Sequence, residues 1–339
     1  MKINSSLTRS IAVLGAAAVT IGLSSCAAET PAGSDELVEA SFQLGWLPNV
    51  ESMPMLVADE KGYYEEEGVD LTIEPGGPQV VADAQIVSGN VLMGALTSES
   101  LANAVEAGAP LVAVGAIYQT SPSAVVVLAD SGITEPKDLE GKRLGVYETD
   151  ARTYGPFFAL TGVDYDKVNM VTGATDPASL VSGEVDAITG AVANQPVAIR
   201  AQGIEVNEIR LGDYGFNRWS NLLVVREDSL EDESKRAAIA GMLKATQRGL
   251  ADAVADPAGA AQVVVDVFGE QLGLELESQT ASAEVWAELA SASTQEAGLL
   301  VVTDEGVQSQ QDFFDAIGLD VQAADLFDVD FSVDTLDAN

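Results

Sequence analysis

Short apolar runs alternate with stretches of helical character from residue 41 to residue 118. The runs are SFQLGW (41–46), VDLTIE (69–74), VLMGAL (91–96) and PLVAVGAIY (110–118). Stretches 54–66, 78–88 and 98–107 lie between them and read as helices. Strands alternating with helices predict βαβ units and a mainly parallel sheet. A long β-branched run, SAVVVLAD (123–130), follows, and then the alternation starts again. Its strands are RLGVY (143–147), VNMVT (168–172), VDAITG (185–190) and VNEIRLG (206–212), with helical stretches at 151–160, 176–182 and 194–202. A second long run, SNLLVVRED (220–228), precedes a helical remainder. There Ile239, Met242, Leu243, Thr246 and Leu250 share one helix face, and Asp256-Pro257 ends that helix and opens the next.

The pattern predicts two α/β units. The simplest topology has the chain leave the first, build the second and return through the two long strands near 123–130 and 220–228, which would form a hinge beside a cleft. Ligands of open α/β sheets bind at the carboxyl ends of strands. Phe42 to Trp46 reads as a strand that ends on tryptophan against a Pro48–Asn49 turn, with Pro54 where a helix begins. Trp46 therefore either faces the cleft or caps an edge of the core.

The N-terminus carries a separate signal. Lys2 and Arg9 precede an apolar segment, 11–23, that is short for a membrane span. LSSC (23–26) then resembles a bacterial lipobox, with Cys26, the sole cysteine, as the lipidated first residue of the mature chain. The alternative is plain secretory cleavage near Ala27–Ala28. AAETPAGSDE (27–36) reads as a flexible tether. The expected organisation is a signal peptide over 1–25, a tether over 26–40, domain I from 41–127 plus 225–339, and domain II from 128–224.

Composition narrows the chemistry. The 339 residues suffice for two ordinary cores. With 16 basic and 53 acidic residues the net charge is −37, which opposes binding to nucleic acid or anionic headgroups and otherwise serves solubility. The sequence has no histidine, so the usual general base and zinc ligand are missing, and one cysteine supports neither an intramolecular disulfide nor a Cys-His pair. No cofactor or metal is expected.

Three segments, in order, carry a family resemblance. LGWLPNVESMPMLVADEKGYYEEEGVDLTIEPGGP (44–78), IYQTSPSAVVVLADSGITEPKDLEGKRLGV (117–146) and GEVDAITGAVANQPVAIRAQGIEVNEIRLGDYG (183–215) resemble solute-binding proteins of the nitrate/sulfonate/taurine and thiamine-pyrimidine-precursor group. The Asn-x-Pro helix start and the Asp-Tyr-Gly turn are typical of its pyrimidine-precursor branch. The resemblance implies an α/β, two-lobed periplasmic-binding-protein-like fold of type II. It implies a monomer that delivers a small molecule to the permease of an ABC importer from outside the cell membrane. Thiamine-pyrimidine synthases share the outline but need an active-site histidine, a lysine for pyridoxal phosphate and a cysteine-rich segment. Here WLPNVESMP has glutamate and serine where the lysine-to-histidine stretch would lie, so that chemistry cannot be assembled.

Such proteins hold a planar ring by stacking and read its edges by hydrogen bonds. Candidate faces are Trp46, Tyr118, Tyr147, Tyr214 and Trp219, all near expected strand ends; each alone is more often a packing residue. Candidate polar readers are Asn49, Thr97, Ser98, Gln119, Ser121, Glu148, Thr149, Asp150, Asn194 and Asp213. Gly76 and Gly77 either let backbone approach a ligand or form a tight turn. Carboxylates such as Glu148 and Asp213 favour an aminopyrimidine or another flat ring, a flavin included. Arg152 and Arg218 favour the runner-up, an anion clamp for a sulfonate, taurine or nitrate. A surface lipoprotein of purely structural role is a third class.

Overall fold

The structure, a computed structural model, describes residues 37–147, 150–292 and 297–336, the side chains of 150–153 excepted. Cys26, its surrounding signal and the stretch 27–36 lie outside the described residues, as do Glu148 and Thr149; so does the side chain of Arg152.

Among the described residues ten strands are formed: β1 (Val38–Gln43), β2 (Val69–Glu74), β3 (Met93–Leu96), β4 (Leu111–Tyr118), β5 (Ser123–Leu128), β6 (Arg143–Val146), β7 (Asn169–Thr172), β8 (Ala187–Ala191), β9 (Val206–Arg210) and β10 (Ser220–Arg226). The helices before β5 are α1 (Met53–Glu60), α2 (Tyr63–Glu66), α3 (Ala82–Val87) and α4 (Ser98–Glu106). Those within the second unit are α5 (Asp150–Thr161), α6 (Pro177–Val181) and α7 (Gln195–Arg200). The C-terminal group is α8 (Glu233–Ala255), α9 (Pro257–Leu272), α10 (Leu276–Ala292), α11 (Asp304–Ile317) and α12 (Val329–Thr335).

Two five-stranded sheets result, in the orders β2-β1-β3-β10-β4 and β7-β6-β8-β5-β9. Each is parallel except for one strand, β10 in the first and β5 in the second. The two exceptions have one cause. β4 ends at Tyr118 and β5 begins at Ser123, so four residues carry the chain between sheets, and a strand started so soon must run back from the shared edge. The return, 211–219, leaves β9 at the same edge, and Ser220 of β10 pairs with Tyr118. The carboxyl ends of β1, β3, β4, β6, β8 and β9 therefore all face the region of the crossovers.

The two long runs were expected to cross between the domains; instead each stays in one sheet. The expected boundaries after 127 and 224 fall inside β5 and β10, and the chain changes sheets at 119–122 and 211–219. Ladder pairing decides this: Ser123–Val126 pairs with β8 and Ala124–Leu128 with β9, so the whole of β5 belongs to the second sheet. Asn217 joins the two crossovers, accepting the Ser121 amide on its Oδ1 (3.2 Å) and the Gln310 side-chain amide on its carbonyl (3.1 Å).

Both faces of the first sheet are covered. Along β10, Leu223 and Val225 bury with Met53, Met55 and the α8 residues Ile239, Met242, Leu243 and Leu250, as the helical spacing predicted. Leu222 and Val224 point the other way, into a core that continues through Trp219, Phe216 and Phe313 to Phe157, Val125 and Leu144 of the second unit. The period-two alternation of a strand makes this division. Because one apolar core spans both sheets, residues 36–339 pack as one compact unit. The C-terminal helices were expected on the first unit; α11 also reaches the second, with Phe313 edge-on to Phe216 at 5.1 Å.

β1 differs from the sequence expectation. It starts at Val38, inside the stretch expected as tether, because Val38–Gln43 pairs residue for residue with Val69–Glu74. It stops at Gln43 rather than Trp46. The buried Gln43 amide bridges the ends of β1 and β2, donating to the carbonyls of Leu44 (3.1 Å), Glu74 (3.2 Å) and Pro75 (3.0 Å). Gln43→Ala leaves those carbonyls without this donor and is expected to lower stability by about 1–3 kcal/mol in a urea titration. An unchanged midpoint would show that the strand end holds without it.

Candidate functional site

The cleft is built from the turns that follow β1 and β6. Past Gln43, the chain makes the turn 44–49 and then a 3-10 turn, Val50–Ser52, that leads into α1. Asn49 caps this turn, its Oδ1 accepting the Glu51 amide at 2.7 Å. The Val50 amide donates to Gln279 of α10 at 3.2 Å, and the Glu51 carbonyl accepts the Tyr118 hydroxyl at 3.1 Å. Gly76 closes the turn from behind. A Cβ there would lie 2.4 Å from the Leu44 carbonyl oxygen and 2.6 Å from the Trp46 nitrogen and oxygen. The EPGGP stretch thus accommodates the protein's own Trp46 backbone.

Trp46 is half-buried and meets Tyr147, the residue after β6 in the other sheet, edge to face with ring centres 5.5 Å apart. This pair joins the two expected aromatic residues that stand at opposed strand ends. Tyr147 is placed from the second unit. Gln195, which opens α7, accepts the Ala191 amide on Oε1 (3.0 Å) and points its Nε2 at the Tyr147 hydroxyl (3.4 Å). It folds over Gly190, where a Cβ would stand 2.3 Å from Gln195 Oε1. Gln195 was not among the expected residues. The strand-end glycine followed five residues later by an amide was the only signal for it.

Two charged groups stand at the same edge. Arg218, on the returning crossover, is 18% exposed, pairs with Glu99 at 3.4 Å and donates to Ser123 Oγ at 2.8 Å. Glu51 is half-buried, and its carboxyl makes no hydrogen bond among the described residues. Burial pushes the Glu51 carboxyl up to about 7, and the Arg218 charge pulls in the other direction. Sequence reading noted Glu51 only as a departure from the synthase pattern in WLPNVESMP and not as a site residue; its environment comes from elements far away in the chain.

Other expected site residues serve the scaffold. Tyr118 is fully buried, its ring on Trp286 with centres 4.5 Å apart, because β4 lies inside the body. Trp219 is buried against Phe327 and packs on Gly306, so its indole has no face on the cleft. Thr97 caps α4 through the Ser100 amide (3.1 Å), and the buried Ser98 holds Trp219 by two bonds. Gln119 donates to the Val301 carbonyl at 2.7 Å. Asn194 accepts the Trp286 indole N–H at 3.4 Å and so ties α7 to α10. Asp213 and Tyr214 are exposed at the start of the returning crossover, with Tyr214 edge-on to Phe157 at 6.4 Å. A carboxylate-rich concavity lined by Val112, Glu227, Asp304, Asp325 and Asp328 lies at the far end of the first sheet. No group of residues that could hold a metal ion occurs among the described residues.

Two five-stranded α/β sheets joined by short crossovers, with their strand ends turned to one cleft, define the solute-binding-protein fold. The chain belongs to the NMT1/THI5-like family, whose model matches residues 49–260. It is 28% identical over 264 residues to the riboflavin-binding protein RibY of Chloroflexus aurantiacus, covering 75% of this chain and 74% of that one. It is 27% identical over 252 residues to the formylaminopyrimidine-binding protein of Halalkalibacterium halodurans, covering 72% and 74%. A 4-amino-5-hydroxymethyl-2-methylpyrimidine phosphate synthase of Legionella pneumophila is 27% identical over 217 residues, 61% of this chain and 67% of that one. In fold, the chain superposes on the periplasmic aliphatic sulphonate binding protein SsuA from Escherichia coli with a TM-score of 0.62 and 18% identity, over 90% of this chain and 93% of that one. Among the described residues no helix is long and apolar enough to cross a membrane.

The sign of the Glu51 shift gives a stability test. An unfolded glutamate titrates near 4.5, so between there and about 7 the folded chain binds more protons than the unfolded one, and stability falls as pH rises through that window. Glu51→Gln removes the charge that burial opposes. The variant is expected to be more stable than the parent by roughly 1–3 kcal/mol at pH 8 and no more stable at pH 4. Equal melting at pH 8 would show that the carboxylate is well solvated.

Proposed function

We propose that this protein is the extracytoplasmic solute-binding component of an ABC importer, that it is no enzyme, and that its ligand is a flat heteroaromatic molecule of the thiamine-pyrimidine-precursor class, with a flavin as the alternative. The observation that carries the ligand class is the Trp46–Tyr147 pair at the facing strand ends of the two sheets. Two aromatic faces set on separate lobes suit a planar ring, because stacking adds about 0.5–1.5 kcal/mol to the burial of the ring area. Names among the family support it: two relatives are called binding proteins for riboflavin and formylaminopyrimidine. The absence of histidine from the sequence weighs against the synthase chemistry named in other relatives.

Stacking a ring on both faces takes roughly 7 Å, two gaps of about 3.5 Å. The rings of Trp46 and Tyr147 are 5.5 Å apart and inclined at 71°, edge to face, so in this proposal they must reorient as well as part to hold a ligand between them. The crossovers 119–122 and 211–219 are the hinge in this proposal, and lobes that open and close around a ligand are ordinary for binding proteins. Arg218 already serves Glu99 and Ser123, which counts against an anion clamp built on it.

Trp46→Ala is expected to weaken binding of 4-amino-5-hydroxymethyl-2-methylpyrimidine or riboflavin by about 2 kcal/mol or more, as for a buried aromatic anchor. Calorimetry with these two compounds, taurine, an alkanesulfonate and nitrate provides the check. Tight binding of taurine or nitrate that survives Trp46→Ala and is lost in Arg218→Ala would replace the ring by an anion.

The same proposal includes a lipid anchor at Cys26, resting on LSSC at the sole cysteine. One acyl group alone binds membranes only marginally, so anchoring takes more than one chain. Cys26→Ala is expected to stop incorporation of labelled fatty acid and to release the protein from the membrane fraction. Continued acylation of that variant would refute the anchor.

A further inference from the structure

We propose that Trp286 of α10 is the positioning residue of the cleft: it supports the turn that carries Trp46 on one side and the segment that supports Tyr147 on the other, and so sets the spacing of the two lips. The spacing belongs to the fold itself; its effect on affinity rests on the ring-binding function above.

The segment after β8 reaches from the second sheet into the core of the first, and three consecutive residues there do three different things. Ala193 is fully buried in the apolar cluster that contains Met53, Leu223 and Trp286. Asn194 accepts the Trp286 indole N–H on its Oδ1 at 3.4 Å. Gln195 turns back, takes the Ala191 amide on Oε1 at 3.0 Å and points its Nε2 at the Tyr147 hydroxyl at 3.4 Å. An asparagine at a helix start ordinarily accepts an amide of its own first turn. Asn194 opens α7 and makes no such bond, because its carbonyl oxygen is turned to α10 instead.

The other side of Trp286 faces the Trp46 turn. Its ring lies on Tyr118 with centres 4.5 Å apart, and the Tyr118 hydroxyl donates to the Glu51 carbonyl at 3.1 Å. Gln279, seven residues earlier and so two turns back on the same face of α10, accepts the Val50 amide at 3.2 Å. Both bonds end on the 3-10 turn that leaves Trp46. Trp286 is fully buried, so its N–H needs an acceptor, and the acceptor it has comes from the chain of the other sheet. The joint through Phe216 and Phe313 belongs to a separate apolar cluster beside the returning crossover. The lobes are thus held at the crossovers and again at Trp286. The crossovers can absorb a change of angle, and the second joint selects the angle at which Trp46 and Tyr147 meet. Without it the binding-competent spacing is less populated, and apparent affinity falls by that fraction.

The test is a double-mutant cycle on the full chain. Trp286→Phe keeps a ring against Tyr118 and removes the N–H; Asn194→Leu keeps the bulk and removes the acceptor. Calorimetry reads the affinity for 4-amino-5-hydroxymethyl-2-methylpyrimidine and riboflavin. Spin labels at Glu106→Cys and Asp166→Cys, in a Cys26→Ala background, read the distance between the lobes without ligand. Each single variant is expected to weaken binding of the ring compound by roughly two- to tenfold, the range for one neutral hydrogen bond, and the double variant by no more than either single. The label distance is expected to shift or broaden in all three. Losses that multiply in the double variant would mean two separate packing roles and overturn the inference. Ring affinity and label distance both unchanged would overturn it and leave ring binding standing. If the parent binds neither ring compound, the ring reading falls, and the label distance alone decides: a shift common to all three variants upholds the joint, and an unchanged distance overturns it.

Discussion

Four residues between Tyr118 and Ser123 carry the chain from one sheet to the other, and the geometry of the whole molecule follows from that shortness. A connection this brief cannot cross a sheet and come back, so β5 must run against its neighbours, and on the return β10 must do the same. Both crossovers then sit at one edge, and the carboxyl ends of the parallel strands of both sheets are turned toward it. Asn217 fixes this edge by taking a hydrogen bond from each side: from the outgoing crossover through Ser121 and from the C-terminal helices through Gln310. Residues placed just past strand ends, Trp46 and Tyr147 among them, are brought into contact by that arrangement.

The cleft region mixes rigid support with a group held at some cost. Tyr118, Trp286, Asn49 and Gln279 clamp the turn on which Trp46 and Glu51 stand, and Gln195 orders Tyr147 from the opposite side. Pre-set side chains of this kind lose little conformational freedom when a ligand arrives. Glu51 is the opposite case. Folding withdraws its carboxyl from water, with only the Arg218 charge in partial compensation.

An apolar core that runs from the face of the first sheet opposite α8 to the second sheet through Phe216, Phe313 and Phe157 joins the two halves. The bond from Trp286 to Asn194 ties them on the flank of α10. These contacts agree with the compact packing of residues 36–339.

The alternation of apolar runs and helical stretches determined the two α/β units, because periods of two and near 3.6 are written locally in each segment. It also determined the apolar face of α8. Trp46 and Tyr147 were legible as strand-end aromatics, and the family was legible in three short segments. Tertiary structure alone decided which strand-end residues share the cleft. Tyr118 and Trp219 carry the same local signature as Trp46, but each is covered by residues far along the chain, Trp286 and Phe327, so they are structural. Glu51 was legible only as a departure from the synthase pattern, since a glutamate in a turn is ordinarily solvated. Its charge becomes costly only when β4, the returning crossover and α10 close around the turn, and the spacing of residues does not encode the dielectric that such a closure creates.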